Sequence, residues 1–337
     1  MRPLEDGPLV IAGAGSIGGW LGGVLAAAGR PVRLFGRPRM AGEVAAHGLR
    51  VTDYAALDRR FAPDDLPIET EPGALAEARI VLVCVKSGAT AEMGALIAAH
   101  APPGAIVVSC QNGVRNADVL REAIGRPTQP ILAGMIPFNV VAMGEGRLHR
   151  ATSGAVKIAE GAPGLAAYLT APGVEVEAVA DMPSILWGKL LLNLNNALNA
   201  LSDQPLLTQL QDRQWRRLLA DQIAEGLAAL KAAGVRPMAA TGPPPGVMPP
   251  ILRLPTPLFR MVAAAMLKID PAARSSMWED LQLGRPTEID ELQGAILALA
   301  EAHGAAAPIA ARVTKAIRAA EAAGAGSPGL TPDALRG

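Results

Sequence analysis

The hydrophobic pattern opens with two short runs separated by glycines. Leu9 to Ala12 (LVIA) is four apolar residues in succession, the length of a buried strand. Gly13-Ala14-Gly15-Ser16-Ile17-Gly18 follows, and then an alanine-rich stretch of helical length that runs to about Ala28 and stops at Gly29. Pro31 to Phe35 (PVRLF) returns to a strand pattern. Ile80–Val85, Ala105–Cys110 and Ile131–Ile136 are further continuous apolar runs, as expected of parallel strands covered on both faces. Leu49–Asp53 predicts a strand outside that series, Pro137–Ala159 antiparallel β structure, and Val174–Val179 the last strand. After Asp181 the apolar period becomes helical. In Trp187–Leu201 (WGKLLLNLNNALNAL), Leu190, Leu191, Leu194, Leu198 and Leu201 share one face. Further helices are predicted over Asp212–Ala233 and Leu258–Lys268, with two more ending near Ala322. Thr241–Pro257 is proline-rich and reads as loop or extended chain. These boundaries give an α/β domain over residues 1–181, an all-α domain over 182–323 and a loose tail over 324–337.

The polar face of the Trp187–Leu201 helix is unusual. Lys189, Asn193 and Asn196 lie on it at offsets of four and three, with Asn199 beside them and Asn195 making a fourth asparagine. Solvated faces normally carry Glu, Lys, Arg or Gln, whereas Asn costs up to about 0.7 kcal/mol per residue against Ala in a helix. A lysine among amides reads as a surface that hydrogen-bonds something. The glycine stretch has its own chemistry. A strand, a GxGxxG turn, a helix and a second strand within about 30 residues are the pattern of a dinucleotide site. Gly13 would make the tight turn, Gly15 would let a pyrophosphate approach, and Gly18 would let helix and strand pack, with Ala14, Ser16 and Ile17 between them. The second strand runs into Gly36-Arg37-Pro38-Arg39, with no acid until Glu43. A cation there suits the 2′-phosphate of NADP better than the ribose hydroxyl of NAD, so Arg37 is the candidate ligand and Arg39 the reserve. Lys86 and Asn112 stand where strands end, the edge at which open α/β sheets bind ligands. Thr287 reads as a helix N-cap with Asp290 at N3, which places Glu288 at N1, where a carboxylate favours the helix dipole.

Composition narrows the options. The chain has 337 residues, half of them apolar, with 31 basic and 31 acidic residues and no net charge. That balance gives no footprint for nucleic acid or an anionic membrane, and 3% aromatics argues against base-stacking modules. Leu9–Gly29 is uncharged over a span-like length, but seven of its residues are glycine and they bunch where a turn falls, which argues against a membrane helix. Glu5 and Asp6 spoil a signal-peptide n-region. Cys84 and Cys110 read as buried free thiols of a reducing cytoplasm. Four scattered histidines give no metal signature.

Together, GAGSIG at 13–18, VK at 85–86, QNG at 111–113, WGKLLLN at 187–193 and the block from Ser275 to Asp290 (SSM…GRPTEID) resemble the ketopantoate reductase family over nearly the whole chain. The resemblance implies a Rossmann domain followed by a helical domain like that of 6-phosphogluconate dehydrogenase. It implies NADPH-dependent reduction of 2-dehydropantoate to (R)-pantoate, a step toward pantothenate and coenzyme A. By motif position it makes Lys189 catalytic, with Glu288 accompanying it at the cofactor side. Asn112 and Asn193 flank the reacting groups, Ser276 contacts substrate and Lys86 lies near the nicotinamide. The family has an asparagine eight residues after the lysine. Here that position is Ala197, and Asn196 is the expected substitute. Two other readings stay open: reduction of another small 2-oxo acid or an imine, and an NADP-sensing module without turnover. A homodimer is compatible with either enzyme reading.

Overall fold

Four successive apolar residues are all buried only when a strand is covered on both faces, and Leu9–Ala12 (β1) is placed that way. Leu9 and Ile11 enter one hydrophobic cluster, Val10 and Ala12 another on the opposite face. The computed structural model describes residues 3–239, 242–264, 267 and 270–336, in two units, Met1–Met182 and Pro183–Gly337.

The first unit contains twelve strands among its described residues. After β1 come β2 (Val32–Phe35), β3 (Leu49–Asp53), β4 (Asp58–Phe61), β5 (Ile68–Glu69), β6 (Ile80–Val83), β7 (Ile106–Ser109), β8 (Ile131–Met135), β9 (Val140–Ala142), β10 (Arg147–Arg150), β11 (Val156–Ala159) and β12 (Val176–Val179). Eight form one sheet in the order β12-β11-β8-β7-β6-β1-β2-β5, parallel throughout except where β11 runs antiparallel to β8. The other four form a small sheet, β4-β3-β10-β9. The expected antiparallel segment at 137–159 is thus divided: β9 and β10 pair in the small sheet, while β11 rejoins the large one.

Helix α1 (Ser16–Ala27) lies between the sheets, and its glycines set both distances. A Cβ on Gly22 would lie 2.4 Å from Leu34 Cδ2 of the large sheet; one on Gly23 would lie 2.8 Å from Val51 Cγ1 and one on Gly19 2.8 Å from Leu148 Cδ1, both of the small sheet. The four-residue glycine spacing is therefore helix-on-sheet packing, and among the described residues no helix is long and apolar enough to cross a membrane. The remaining helices of this unit are α2 (Pro38–His47), α3 (Thr90–His100), α4 (Asn116–Ile124) and α5 (Leu165–Leu169).

The second unit has only helices among its described residues: α6 (Met182–Asn193), α7 (Asn195–Ser202), α8 (Leu206–Gln211), α9 (Arg213–Ala232), α10 (Met248–Arg253), α11 (Thr256–Val262), α12 (Ser276–Gln282), α13 (Ile289–Ala302), α14 (Pro308–Ala323) and α15 (Pro332–Arg336). Four sequence expectations change here. The single Trp187–Leu201 helix is interrupted at Leu194, whose dihedrals stay helical (φ −56°, ψ −25°) while its carbonyl accepts a 3.0 Å bond from the Gln293 side chain. The proline-rich segment is partly helical as α10. Its Pro249 and Pro250 fall in the first turn, where no intrahelical N–H is needed. Thr241 and Lys268, the ends of two expected segments, lie outside the described residues. The start of α13 falls one residue later than expected, with Glu288 at the N-cap and Thr287 Oγ1 accepting from Ile289 N at 3.3 Å. Last, the tail is not loose. Leu335 is 2% exposed, Leu330 N donates to Leu201 O at 2.7 Å, and Arg336 pairs with Asp221 at 2.9 Å. Pro332 and Leu335 are buried and anchor an otherwise largely exposed segment.

Two predictions follow from this packing. Removing residues 325–337 exposes the face covered by Leu335 and should cost at least about 2 kcal/mol, the burial free energy of one large aliphatic side chain, measured by urea denaturation. Gly188 of α6 admits the backbone of Met238, whose carbonyl oxygen would lie 1.7 Å from a Cβ there and whose N–H donates to Ser184 O at 2.9 Å. Gly188→Ala should destabilise by about 1–3 kcal/mol, the usual cost of overpacking, checked by thermal unfolding.

Candidate active site

Strand order reverses around β1, which has β2 on one side and β6 on the other. The crevice at the carboxyl ends of β1 and β6 is therefore the switch point at which open α/β sheets hold ligands. The glycine turn occupies it. Gly13 has φ +108°, and a Cβ there would lie 2.6 Å from the Val85 nitrogen. Gly13 N and Ala14 N both donate to Phe35 O, at 2.8 and 2.9 Å, which fixes the turn to the end of β2. A Cβ on Gly18 would lie 2.3 Å from Gly13 O. Gly15 is different: nothing lies within 4 Å of its Cβ position. It is also the N-cap of α1, with no side-chain cap and no acidic residue in the first turn, Ser16 and Ile17 included. Open space above helix N–H donors can cradle a pyrophosphate.

Around this turn stand the other candidates of the first unit. Arg37 follows Gly36, whose Cβ position is 3.1 Å from Ala14 Cβ, so its backbone leaves the strand beside the turn. It is exposed and makes no ion pair with a described residue, whereas Arg39 is engaged with Glu43 at 3.2 Å. Lys86 leads out of β6 and is exposed. Asn112 lies past β7, its carbonyl accepting from Ser87 Oγ at 3.1 Å and from Asn116 Nδ2. Cys84 and Cys110 are free and stand in adjacent strand-end positions. Their mutual hydrogen bond, with burial adding to it, pushes the Cys84 thiol above its ordinary range.

In the second unit the four asparagines divide. Asn195 exchanges bonds with Gln209 at 3.4 and 3.3 Å, and buried Asn199 donates to Gln204 O and Gln209 Oε1 and accepts from Ser275 N at 2.8 Å. These two hold the fold. The amides of Asn193 and Asn196 make no hydrogen bond to a described side chain or backbone group and are half-buried. Ser275 brings Ser276 to the same neighbourhood: its Oγ donates to Asn196 O at 2.9 Å and accepts from Trp278 N as the N-cap of α12. Ser276 is exposed just inside that helix, and Lys189 lies partly exposed on α6. Ala197 is fully buried.

Glu288 stands at the N-cap position of α13, followed by Asp290, which pairs with Arg318 at 2.6 Å, and by Glu291. Burial pushes the neighbouring Glu291 carboxyl above the usual range, and the charges of Glu288 and Asp290 add to this against a bond from its own amide. The sequence reading passed over Gly188, although a glycine inside a helical pattern is itself a signal of close approach. It also passed over Gln293, which carries no local signal because it looks like any helix former.

Comparison with known proteins agrees with this picture across both units. The family described as Ketopantoate reductase PanE/ApbA matches residues 9–163, and its C-terminal counterpart, Ketopantoate reductase PanE/ApbA C terminal, matches residues 181–321. A curated 2-dehydropantoate 2-reductase of Halobacterium salinarum is 30% identical over 322 residues, 93% of this chain and 98% of that protein. A crystal structure of a PanE/ApbA family ketopantoate reductase from Ralstonia eutropha superposes with TM-score 0.80 at 29% identity, covering 94% of this chain and 99% of the other. That of 2-dehydropantoate 2-reductase from Geobacter metallireducens gives 0.77 at 25%, covering 93% and 99%. With a switch-point glycine turn in one unit, a lysine helix with open amides in the other, and family matches over residues 9–163 and 181–321, the chain belongs to the ketopantoate reductase family, whose members are oxidoreductases that use a nicotinamide cofactor.

Proposed function

We propose that this protein reduces 2-dehydropantoate to (R)-pantoate with NADPH. The observation that carries the reading is the division of the asparagines. Two of four amides on the lysine helix are satisfied within the fold, and the two nearest Lys189 in the helical repeat, Asn193 and Asn196, are left for a ligand. The name of the Halobacterium relative supplies the substrate.

A bound NADPH supplies the hydride that reaches the carbonyl carbon. Negative charge then grows on the carbonyl oxygen. An ordinary lysine, of pKa about 10.4, is protonated at neutral pH, so the Lys189 ammonium can polarise that oxygen and donate a proton to it. Glu288 accompanies the ammonium as its counter-charge. Asn193 and Asn196 orient the substrate through neutral bonds, which avoids the desolvation cost of another charge. Ser276 bonds the carboxylate or a hydroxyl, and Asn112 flanks the reacting carbon. Gly13 to Gly18 receive the pyrophosphate, Lys86 the nicotinamide end, and Arg37 the 2′-phosphate, since Arg39 is already paired with Glu43. A second reading, reduction of another small 2-oxo acid or an imine, is favoured by Ala197, because the family's amide at that position is missing and the alanine is buried.

Lys189→Ala should lower kcat by about 10²–10⁴-fold, the usual share of a general acid, while NADPH affinity changes little. Retention of more than a tenth of the wild-type kcat rules out the proton-donor role. Arg37→Ala should raise the KM for NADPH by about tenfold or more, the worth of a charge-assisted bond, and leave that for NADH within about twofold. A wild-type preference for NADH overturns the choice of cofactor. Turnover of 2-dehydropantoate beside a panel of small 2-oxo acids and imines separates the two substrate readings.

A further inference from the structure

Three helices meet at the break between α6 and α7. Helix α9 comes close because Gly226 has no side chain: a Cβ there would lie 2.5 Å from Leu191 Cδ2 of α6 and 3.2 Å from Ile296 Cδ1 of α13. One turn earlier on that face of α9 is Gln222, and one turn earlier on α13 is Gln293. Both are 0% exposed. Gln293 Nε2 donates to Leu194 O at 3.0 Å and to Gln222 Oε1 at 3.3 Å. Gln293 Oε1 and Gln222 Nε2 are buried without a hydrogen-bond partner.

This arrangement is poor for stability. Each unsatisfied buried amide atom carries a desolvation cost that a pair of apolar side chains of the same shape would not. The polar contact is directed at one place, the backbone carbonyl where the lysine helix is interrupted. Lys189 lies five residues before Leu194 on α6, and Glu288 lies five residues before Gln293 at the cap of α13. Asn193 is the last residue of α6, and Asn196 lies beyond the break on α7. The direction of Asn196 relative to Lys189 and Asn193 is therefore set by the geometry of the break.

We propose that Gln293, braced by Gln222, is a positioning residue: by bonding Leu194 O it fixes the break in the lysine helix, and with it the alignment of Lys189 and Asn193 against Asn196, and ties α13, which carries Glu288, to that alignment. The proposal rests on the assignment of Lys189 as the proton donor. Reactions that depend on alignment lose about 10²-fold for a misplacement near 1 Å.

The test uses the full chain with NADPH and 2-dehydropantoate. In the double variant Gln222→Met, Gln293→Met both buried amides give way to apolar side chains of similar length. Its melting temperature should equal or exceed that of the wild type, its NADPH Kd should stay within about twofold, and its kcat should fall tenfold or more. Gln293→Glu is the second variant, its fold checked by circular dichroism at each pH. A buried carboxyl resists ionisation, so while protonated it can donate to Leu194 O in place of the amide. On ionising it loses that donor. Its kcat should approach the wild-type value at low pH and decline as pH rises, along a limb the wild type lacks. A kcat within twofold of wild type in the double variant, or a Gln293→Glu pH profile parallel to the wild type, overturns the proposal while Lys189→Ala remains inactive. An active Lys189→Ala overturns it together with the reading it rests on.

Discussion

Close approach without side chains is the constraint on which the first unit depends. Helix α1 carries Gly18, Gly19, Gly22 and Gly23 within twelve residues. Each costs about 1 kcal/mol against alanine in a helix, roughly 4 kcal/mol together. In return Trp20, Leu21, Val24 and Leu25 are buried between two sheets, and a fully buried large apolar side chain contributes about 1.5–3 kcal/mol. Burial wins, and it does so only because the helix can come near both sheets. The same approach lets Gly18 lie on the Gly13 carbonyl, which points the start of α1 into the switch-point crevice. Core packing and the anion cradle are one arrangement.

The second unit shows how little composition says about the use of a residue. Four asparagines in one helical stretch look alike in the sequence. In the structure, Asn195 and Asn199 are latched to Gln209, and Asn199 also holds Ser275, the N-cap of α12. Those bonds bring the α12 start, with Ser276, beside Asn196. Two asparagines thus build the frame in which the amides of Asn193 and Asn196 stay open. A buried arginine does similar structural service nearby. Arg216 donates to the carbonyls of Leu210, Gln211, Leu252 and Leu254 and lies 4.2 Å from the centre of the Phe259 ring. It satisfies the ends of α8 and α10, so its charge is spent within the fold.

The misjudged segments share a cause. Prolines at 249 and 250 and the glycines of the tail were weighed as local breakers. Local preference was overruled because first-turn prolines cost a helix nothing, and because a few tail residues, above all Leu335, gained burial against the helices around Asp221. The break at Leu194 has the opposite origin. Every residue from Trp187 to Leu201 has a place in one helical repeat, and nothing local interrupts it. At the interruption the Leu194 carbonyl accepts from Gln293, 99 residues later in the chain.

The sequence by itself determined the strand–glycine turn–helix unit, the continuous apolar strands, the change to helical period after Asp181 and the residue types of the site. Each of these follows from short-range sterics and from the periodicity of burial, which are written in neighbouring residues. Only the tertiary structure decided which asparagines are free for a ligand, where the lysine helix breaks, that Arg39 is engaged while Arg37 stands beside the glycine turn, and that Gly188 exists to admit Met238. Those outcomes depend on partners far away in the chain, and a hydrogen bond or a close contact exists only once both partners have been brought together.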